Sequence, residues 1–352
     1  MLRNEARQRM RNFYKPERPP HKNPKRDIMK KTLLTLLVPV LALAGAAVHA
    51  QEYPNRVITI IVPFAAGGPT DTVARMIGQS MGTKLKQQII IDNAAGAGGT
   101  IAAAKAARAN PDGYTLFLHH IGQSTAPSLY RKLPYNVFDS FEPIGLVTDV
   151  PMTLVARKDF PAKDFKELLA YLKANKNKVS LANAGIGSAS HLCGMLFMSA
   201  IDTELTTVPY KGTAPAMNDL LGGQVDLLCD QTTNTSAYIK AEKIKVYGMT
   251  TKNRLPMMAN VPTLNESGLP GFEVAVWHGL YAPKGTPKPI VDALSGALQY
   301  ALADTAVKQR FADLGTEPVA QDRARPEALR TYLKSEVDKW APVIKKAGIY
   351  AD

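Results

Sequence analysis

The chain has 352 residues, 45% of them apolar, with 43 Lys/Arg against 30 Asp/Glu and a formal net charge of +13. Residues 1–50 hold 11 of the basic residues against three acidic ones, so 8 of the 13 charges fall there and 5 on residues 51–352. So mildly basic a remainder excludes the dense cationic face that nucleic acid requires, and no nucleic-acid partner is expected.

Met29-Lys30-Lys31 opens a charged segment, Leu33 to Val48 is mostly apolar, and Val48-His49-Ala50 offers a small-residue cleavage site before Gln51. The apolar stretch is shorter than the ~20 residues a membrane span needs. Residues 1–50 are therefore expected to be a basic extension and a cleaved signal peptide, which places the mature protein in the periplasm. Gln51, where a lipidated chain would carry Cys, argues against an acyl anchor.

Val57 to Val62 reads as a strand running into the glycine turn Pro63 to Asp71 and then a helix, whose Val73, Ile77, Met81 and Leu85 recur every four residues. Backbone N–H groups at such a helix start are unpaired and sit at the positive end of the dipole, so the turn can hold an anion without a charged side chain. Phe64, Gly67, Gly68, Thr70 and Asp71 are the first candidate binding residues. Ile89 to Ile91 reads as a buried strand, followed by a second glycine turn over 93–100 and an alanine-rich helix over 101–108. After the turn Asn110-Pro111-Asp112-Gly113 comes a third strand over 114–118. His119-His120 close it, and because strand neighbours leave opposite faces, one of the two is expected to line a cleft beside Gln123 and Ser124.

A second series starts after Val150-Pro151. Asp164 is placed to cap a helix carrying Leu168, Leu169 and Leu172, and strands follow over 179–182, 206–209, 225–229 and 244–249. Between the first two of these strands, Ala184 to Leu192 repeats the glycine-turn pattern, with Gly187, Ser188 and His191 as candidates. Tyr210 and Asp230 stand at later strand ends. Asp230 would repel an anion unless paired or bridged by water. Phe64, Tyr210 and Trp277 are placed either to sandwich a ligand body or to pack in the core. From Pro283 onward the chain reads as helices, one with Ile290, Leu294 and Leu298 on a face and one over 326–346. Alternating strands and helices argue an α/β fold with a parallel sheet covered on both faces, in two lobes with a ligand cleft between them.

Four stretches resemble the Bug family, the periplasmic solute-binding receptors of tripartite tricarboxylate transporters. They are Val62-Pro63-Phe64-Ala65-Ala66-Gly67-Gly68-Pro69-Thr70-Asp71-Thr72-Val73-Ala74-Arg75, Asn110 to Thr115, Val208 to Ala216 with Asp219 to Asp226, and Val261-Pro262-Thr263-Leu264. The resemblance implies a two-lobed type II periplasmic-binding-protein fold. Lobe 1 would combine residues 51–155 with a return over 276–352, and lobe 2 would be residues 156–275, with hinge strands near Leu154-Val155 and Val274 to Val276. It further implies a monomer that captures a small organic carboxylate in the interlobe cleft, passes it to membrane permease subunits, and uses neither cofactor nor chemistry. The family's binding loops map onto Phe64 to Asp71 and Ala184 to Leu192. Where the family often has a glutamate three residues after His191-Leu192, this chain has Met195, at a position expected inside a helix.

Other chemistries fit less well. Gly185-Ile186-Gly187-Ser188-Ala189-Ser190 approaches a dinucleotide fingerprint, but Ser190 stands where the third glycine belongs and Tyr210-Lys211 where an acidic ribose ligand belongs. Adjacent His119 and His120 make a poor metal pair, and neither a Gly-x-Ser-x-Gly elbow nor a His-Glu-x-x-His occurs. A periplasmic sensor feeding a kinase would use the same cleft, and a secreted hydrolase remains a third class. Cys193 and Cys229, in an oxidising compartment, form either a disulfide or two separate buried thiols; spacing does not choose.

Overall fold

In the computed structural model, which describes residues 53–351, β1 (Ile58–Val62) is buried except at Thr59 and delivers the chain through a tight turn into α1 (Pro69–Leu85). Pro69 occupies the first turn of α1, where its missing N–H costs nothing. Val73, Ile77 and Met81 form the buried stripe, and Lys86 ends the helix in the left-handed conformation. Residues 1–50, and with them the expected signal peptide, lie outside the described residues.

β2 (Ile89–Asn93) pairs parallel to β1 as the terminal strand of the sheet. The expectation of a buried strand is corrected here: with a neighbour on one side only, Ile90 is 43% exposed. α2 (Thr100–Ala107), β3 (Thr115–His120) and α3 (Gly122–Leu129) follow. Next comes β4 (Phe141–Arg157), a strand of 17 residues. The middle of the chain supplies α4 (Phe165–Asn175), β5 (Ser180–Asn183), α5 (Ala189–Ala200), β6 (Thr206–Pro209), α6 (Thr213–Leu221), β7 (Leu227–Gln231), α7 (Thr232–Lys240) and β8 (Ile244–Met249). Asp164 caps α4 by accepting from the Glu167 N–H at 2.8 Å, and Met195 is buried within α5. β9 (Ala275–Pro283), α8 (Lys288–Ala303), α9 (Thr305–Asp313) and α10 (Pro326–Ala347) complete the chain.

The strands lie in the order β2-β1-β3-β9-β4-β7-β5-β6, with β8 also on β4. Pairing is parallel within β2-β1-β3 and within β7-β5-β6, as the alternation of strands and helices requires. The expected all-parallel sheet is corrected by β9 and β4, which run antiparallel to their neighbours. β4 belongs to both halves: Phe141 to Pro151 pair with β9, and Met152 onward with β7 and β8. Register shifts at Pro143/Gly145 and Leu146/Thr148 let this strand carry residues that would otherwise interrupt it.

Cys193 in α5 and Cys229 in β7 are joined as a disulfide with a Cα–Cα distance of 6.1 Å. Among the described residues no helix is long and apolar enough to cross a membrane.

Candidate functional site

The two halves of the sheet present their helix starts to one another. α1 contributes Pro69 and Thr70, α5 its cap Ser188 with Ala189 and Ser190, α6 its first residue Thr213, and α7 its cap Gln231. All of them line one small cavity, together with Phe64, His120, Ala184 and Asp230. Its volume is about 10 Å³, the room of a single water. The first helical bonds run from Thr72 N–H to Gly68 O and from Leu192 N–H to Ser188 O, both at 3.0 Å, so the amides of Thr70, Asp71, Ala189 and Ser190 precede them. Four positive helix ends thus converge on a cavity whose lining contains neither Lys nor Arg.

Hydroxyls add to the donors. The Ser188 Oγ accepts from His191 N–H at 3.2 Å, the Ser190 Oγ accepts from Ala184 N–H at 2.8 Å, and the two oxygens lie 3.1 Å apart. One hydroxyl proton fills the bond between them, which leaves the other for a ligand. Thr70 Oγ1 lies 3.4 Å from His278 Nε2. The Nδ1 of His120 accepts from Gly122 N–H at 2.9 Å, so the neutral ring carries its proton on Nε2. Burial pushes the pKa of His119 and His278 down to about 3 and that of His120 well below its ordinary value. All three rings are therefore neutral donors or acceptors at pH 7.

Asp230 is the one acidic residue in the lining. Its Oδ1 accepts from Gln231 N–H at 2.8 Å and its Oδ2 from the Asn234 amide at 2.6 Å. Burial nevertheless outweighs those bonds and pushes its pKa up to about 7. Beside it, the buried Gln231 Oε1 has no hydrogen-bond partner.

Phe64, Thr70, His120, Ser188 and Asp230 are thus brought together as cavity walls, and Phe64 stacks on His120 at 4.8 Å. His119 was expected to point away from its neighbour; its ring lies 4.8 Å from that of His120, because β3 ends here and Gly122 N–H holds the second ring in place. Gly67 and Gly68 shape the turn before α1, where Gly67 has φ +80°. Asp71 is occupied elsewhere: it accepts from Gly67 N–H, from the Asn93 amide and from both ends of the Arg75 guanidinium at 2.9–3.0 Å. Burial opposes its ionisation, but these donors prevail and hold its pKa below the ordinary range. Gln123 and Ser124 are buried in α3 and do not line the cavity; Ser124 donates to Ile121 O at 2.7 Å. Gly187 N–H approaches His191 Nδ1 at 3.5 Å, a contact that sets the α5 turn.

Tyr210 lies outside the cavity, its phenol donating to Asp219 at 2.7 Å. With Lys211, Tyr130, Ile186 and the Gly96 to Gly98 turn it lines a groove of about 760 Å³ that spans the same seam. Trp277 is a core residue, donating to Glu336 at 3.0 Å. Sequence reasoning missed Thr213 and His278, and it included Ser190 in the Ala184 to Leu192 loop without singling it out. The signal for Thr213 was present, since a hydroxyl residue directly after Gly212 opens a helix; His278 had none.

The seam is tightly closed. Ala65 N–H donates to Lys211 O at 3.0 Å, and the Tyr130 hydroxyl lies 2.8 Å from Ala97 O and 2.9 Å from Ile186 O.

The sequence model of the family described as "Tripartite tricarboxylate transporter family receptor" matches residues 73–349. A protein of the TAR-I ttuE–ttuC′ intergenic region of Agrobacterium vitis is 48% identical over 329 residues, covering 94% of this chain and 95% of its own. Among solved structures, the periplasmic binding protein BugD is 55% identical with a TM-score of 0.83, over 85% of this chain and 99% of that one. MatC from Rhodopseudomonas palustris, solved with bound malate, is 42% identical with a TM-score of 0.80, over 83% of this chain and all (100%) of that one.

Proposed function

The chain belongs to the family of tripartite tricarboxylate transporter receptors, and from that premise we propose that it is a periplasmic receptor that closes over a small organic carboxylate. The observation that carries this reading is the convergence of four helix N-termini on one cavity without a cation in its walls. Such a site binds an anion through oriented amides and hydroxyls. Bonds to a charged acceptor contribute roughly 1.5–3 kcal/mol each, so two or three suffice for micromolar affinity after the cost of closure. MatC binds malate, and an aliphatic dicarboxylate is the ligand class we carry over.

The cavity has room for no more than a single water, so entry requires opening. We assign the hinge to β4 just past its change of partners at Pro151/Met152, near Leu154-Val155, and to Val274 to Val276 at the start of β9. Residues 51–155 with 276–352 then move against residues 156–275. The protein acts as a monomer, delivers its ligand to membrane permease subunits, and performs no chemistry on it.

Thermal unfolding against a panel of aliphatic and aromatic mono- and dicarboxylates tests the reading. A true ligand at 100 times its Kd adds ~2.7 kcal/mol, an upward shift of about 5–10 °C for a chain near this size. Thr70→Ala should shrink that shift while leaving the unliganded transition in place, since Thr70 faces no partner other than His278 at 3.4 Å. A folded protein silent to the whole panel would contradict the proposal.

A further inference from the structure

Asp230 poses a problem for any anion receptor, because it puts a carboxyl group in the wall of the cavity that the helix ends make positive. Among the described residues, its surroundings offer no cation. His120 from β3 lines the same cavity and is neutral; Ser188 and Ser190 from α5, Thr213 from α6 and Asn234 from α7 are uncharged, and β4 contributes Thr153, whose hydroxyl donates to Asp230 O at 3.2 Å. His119 and His278 lie behind His120 and are neutral too. His191, in the first turn of α5, is also lowered by burial. The ionic pair of Asp71 with Arg75 is closed on itself along α1, and Lys211 lines the outer groove. Closing this cavity over a carboxylate with Asp230 ionised would therefore bury two like charges without a counterion.

Building on the carboxylate-receptor reading, we propose that Asp230 enters the closed cleft as a neutral carboxylic acid that donates its hydrogen bond to the bound anion, so that capture takes up a proton from solvent wherever Asp230 is ionised beforehand. No bond of the ligand is broken; the proton moves from the buffer to an Asp230 oxygen and returns when the cleft opens. The burial that pushes the group up to about 7 in the unliganded protein supports this, and a bound anion raises it further. Asp230 then selects ligands by charge: it admits a carboxylate only with its proton, and the receptor loads best on the acid side of neutrality.

The test is calorimetric titration of L-malate, or of the acid giving the largest thermal shift, from pH 6 to 8.5 in two buffers of different ionisation enthalpy. Ligand carboxyls are ionised over this whole range, so the profile reports the protein. Linkage to a group titrating near 7 makes binding about 30-fold weaker at pH 8.5 than at pH 6, with uptake approaching one proton per ligand at the upper end. Asp230→Asn, which has no proton to take up, should bind with an affinity that is flat from pH 6 to 8.5 and independent of the buffer; the proton count in the wild type decides the question even if that variant does not fold. Tight binding that is flat with pH and independent of buffer overturns the proposal alone. Silence of every acid at every pH overturns the receptor reading and the proposal with it.

Discussion

Gly98→Ala should abolish tight ligand binding while the protein still folds. A Cβ on Gly98 would sit 1.8 Å from the carbonyl oxygen of Ile186 and 2.8 Å from the Tyr130 hydroxyl. Ile186 belongs to the loop before α5, on the far side of the seam, so this overlap exists only when the cleft is closed. Backbone cannot give way by more than an ångström without pulling the Gly185 to Ser188 turn off the cavity. Gly98 itself has φ +58°, a left-handed conformation that costs alanine roughly 1 kcal/mol, but that strain is the same open or closed. If the overlap raises the closed state by about 3 kcal/mol, apparent affinity falls on the order of 100-fold. Gly296→Ala is the control: nothing lies within 4 Å of its Cβ, and helix propensity makes it neutral or slightly stabilising. Unchanged affinity in Gly98→Ala would mean that ligand binds without the closure described here.

Replacing Cys193 and Cys229 together by alanine should lower stability by about 4 kcal/mol, the loop entropy released when residues 36 apart are freed. At ~2–4 °C per kcal/mol for a chain near this size, the midpoint of thermal unfolding falls by roughly 8–15 °C. Ligand affinity should fall as well. Cys229 directly precedes Asp230, and Cys193 sits one turn beyond the start of α5, so the bond fixes two walls of the cavity against each other. The comparison is a melt of the double variant against the wild type, each with and without ligand. A midpoint within ~2 °C of the wild type would show that packing alone holds α5 on β7.

What the sequence made legible was local. The turn from Phe64 into α1, the apolar stripe of Val73, Ile77 and Met81, and the Asp164 cap each follow from neighbouring residues, and the structure has them where the pattern put them. Of β4 only the end near Leu154-Val155 was expected, as a hinge strand; its full length was not legible, because Pro143, Gly145 and Pro151 read as interruptions, whereas in the folded protein bulges absorb the first two and the strand changes partners at the third. Of β9 only its start was expected, as a hinge strand near Val274 to Val276; its run to Pro283 and its antiparallel place between β3 and β4 depend on residues far away in the chain. The site divides in the same way. Helix starts could be recognised one by one, but nothing local says that Thr213 and Ser190 meet Thr70, because they come from opposite halves of the sheet. The occupied role of Asp71 was partly hidden: Arg75 follows it by one turn of α1, but its other partner, Asn93, comes from β2.

In the proposed function, converging helix ends and hydroxyls recognise negative charge. Titrating the purified protein, side by side, with a dicarboxylate such as L-malate and with the diamide of the same skeleton puts this to the test. The two share shape and size, but only one carries the charge that oriented N–H groups and helix dipoles favour. The expected result is saturable binding of the dicarboxylate and at least ~100-fold weaker binding of the diamide, two charge-assisted bonds being worth roughly 3 kcal/mol or more. Equal affinity for both would place recognition in the apolar walls rather than in the helix ends and would rule out binding by oriented N–H groups.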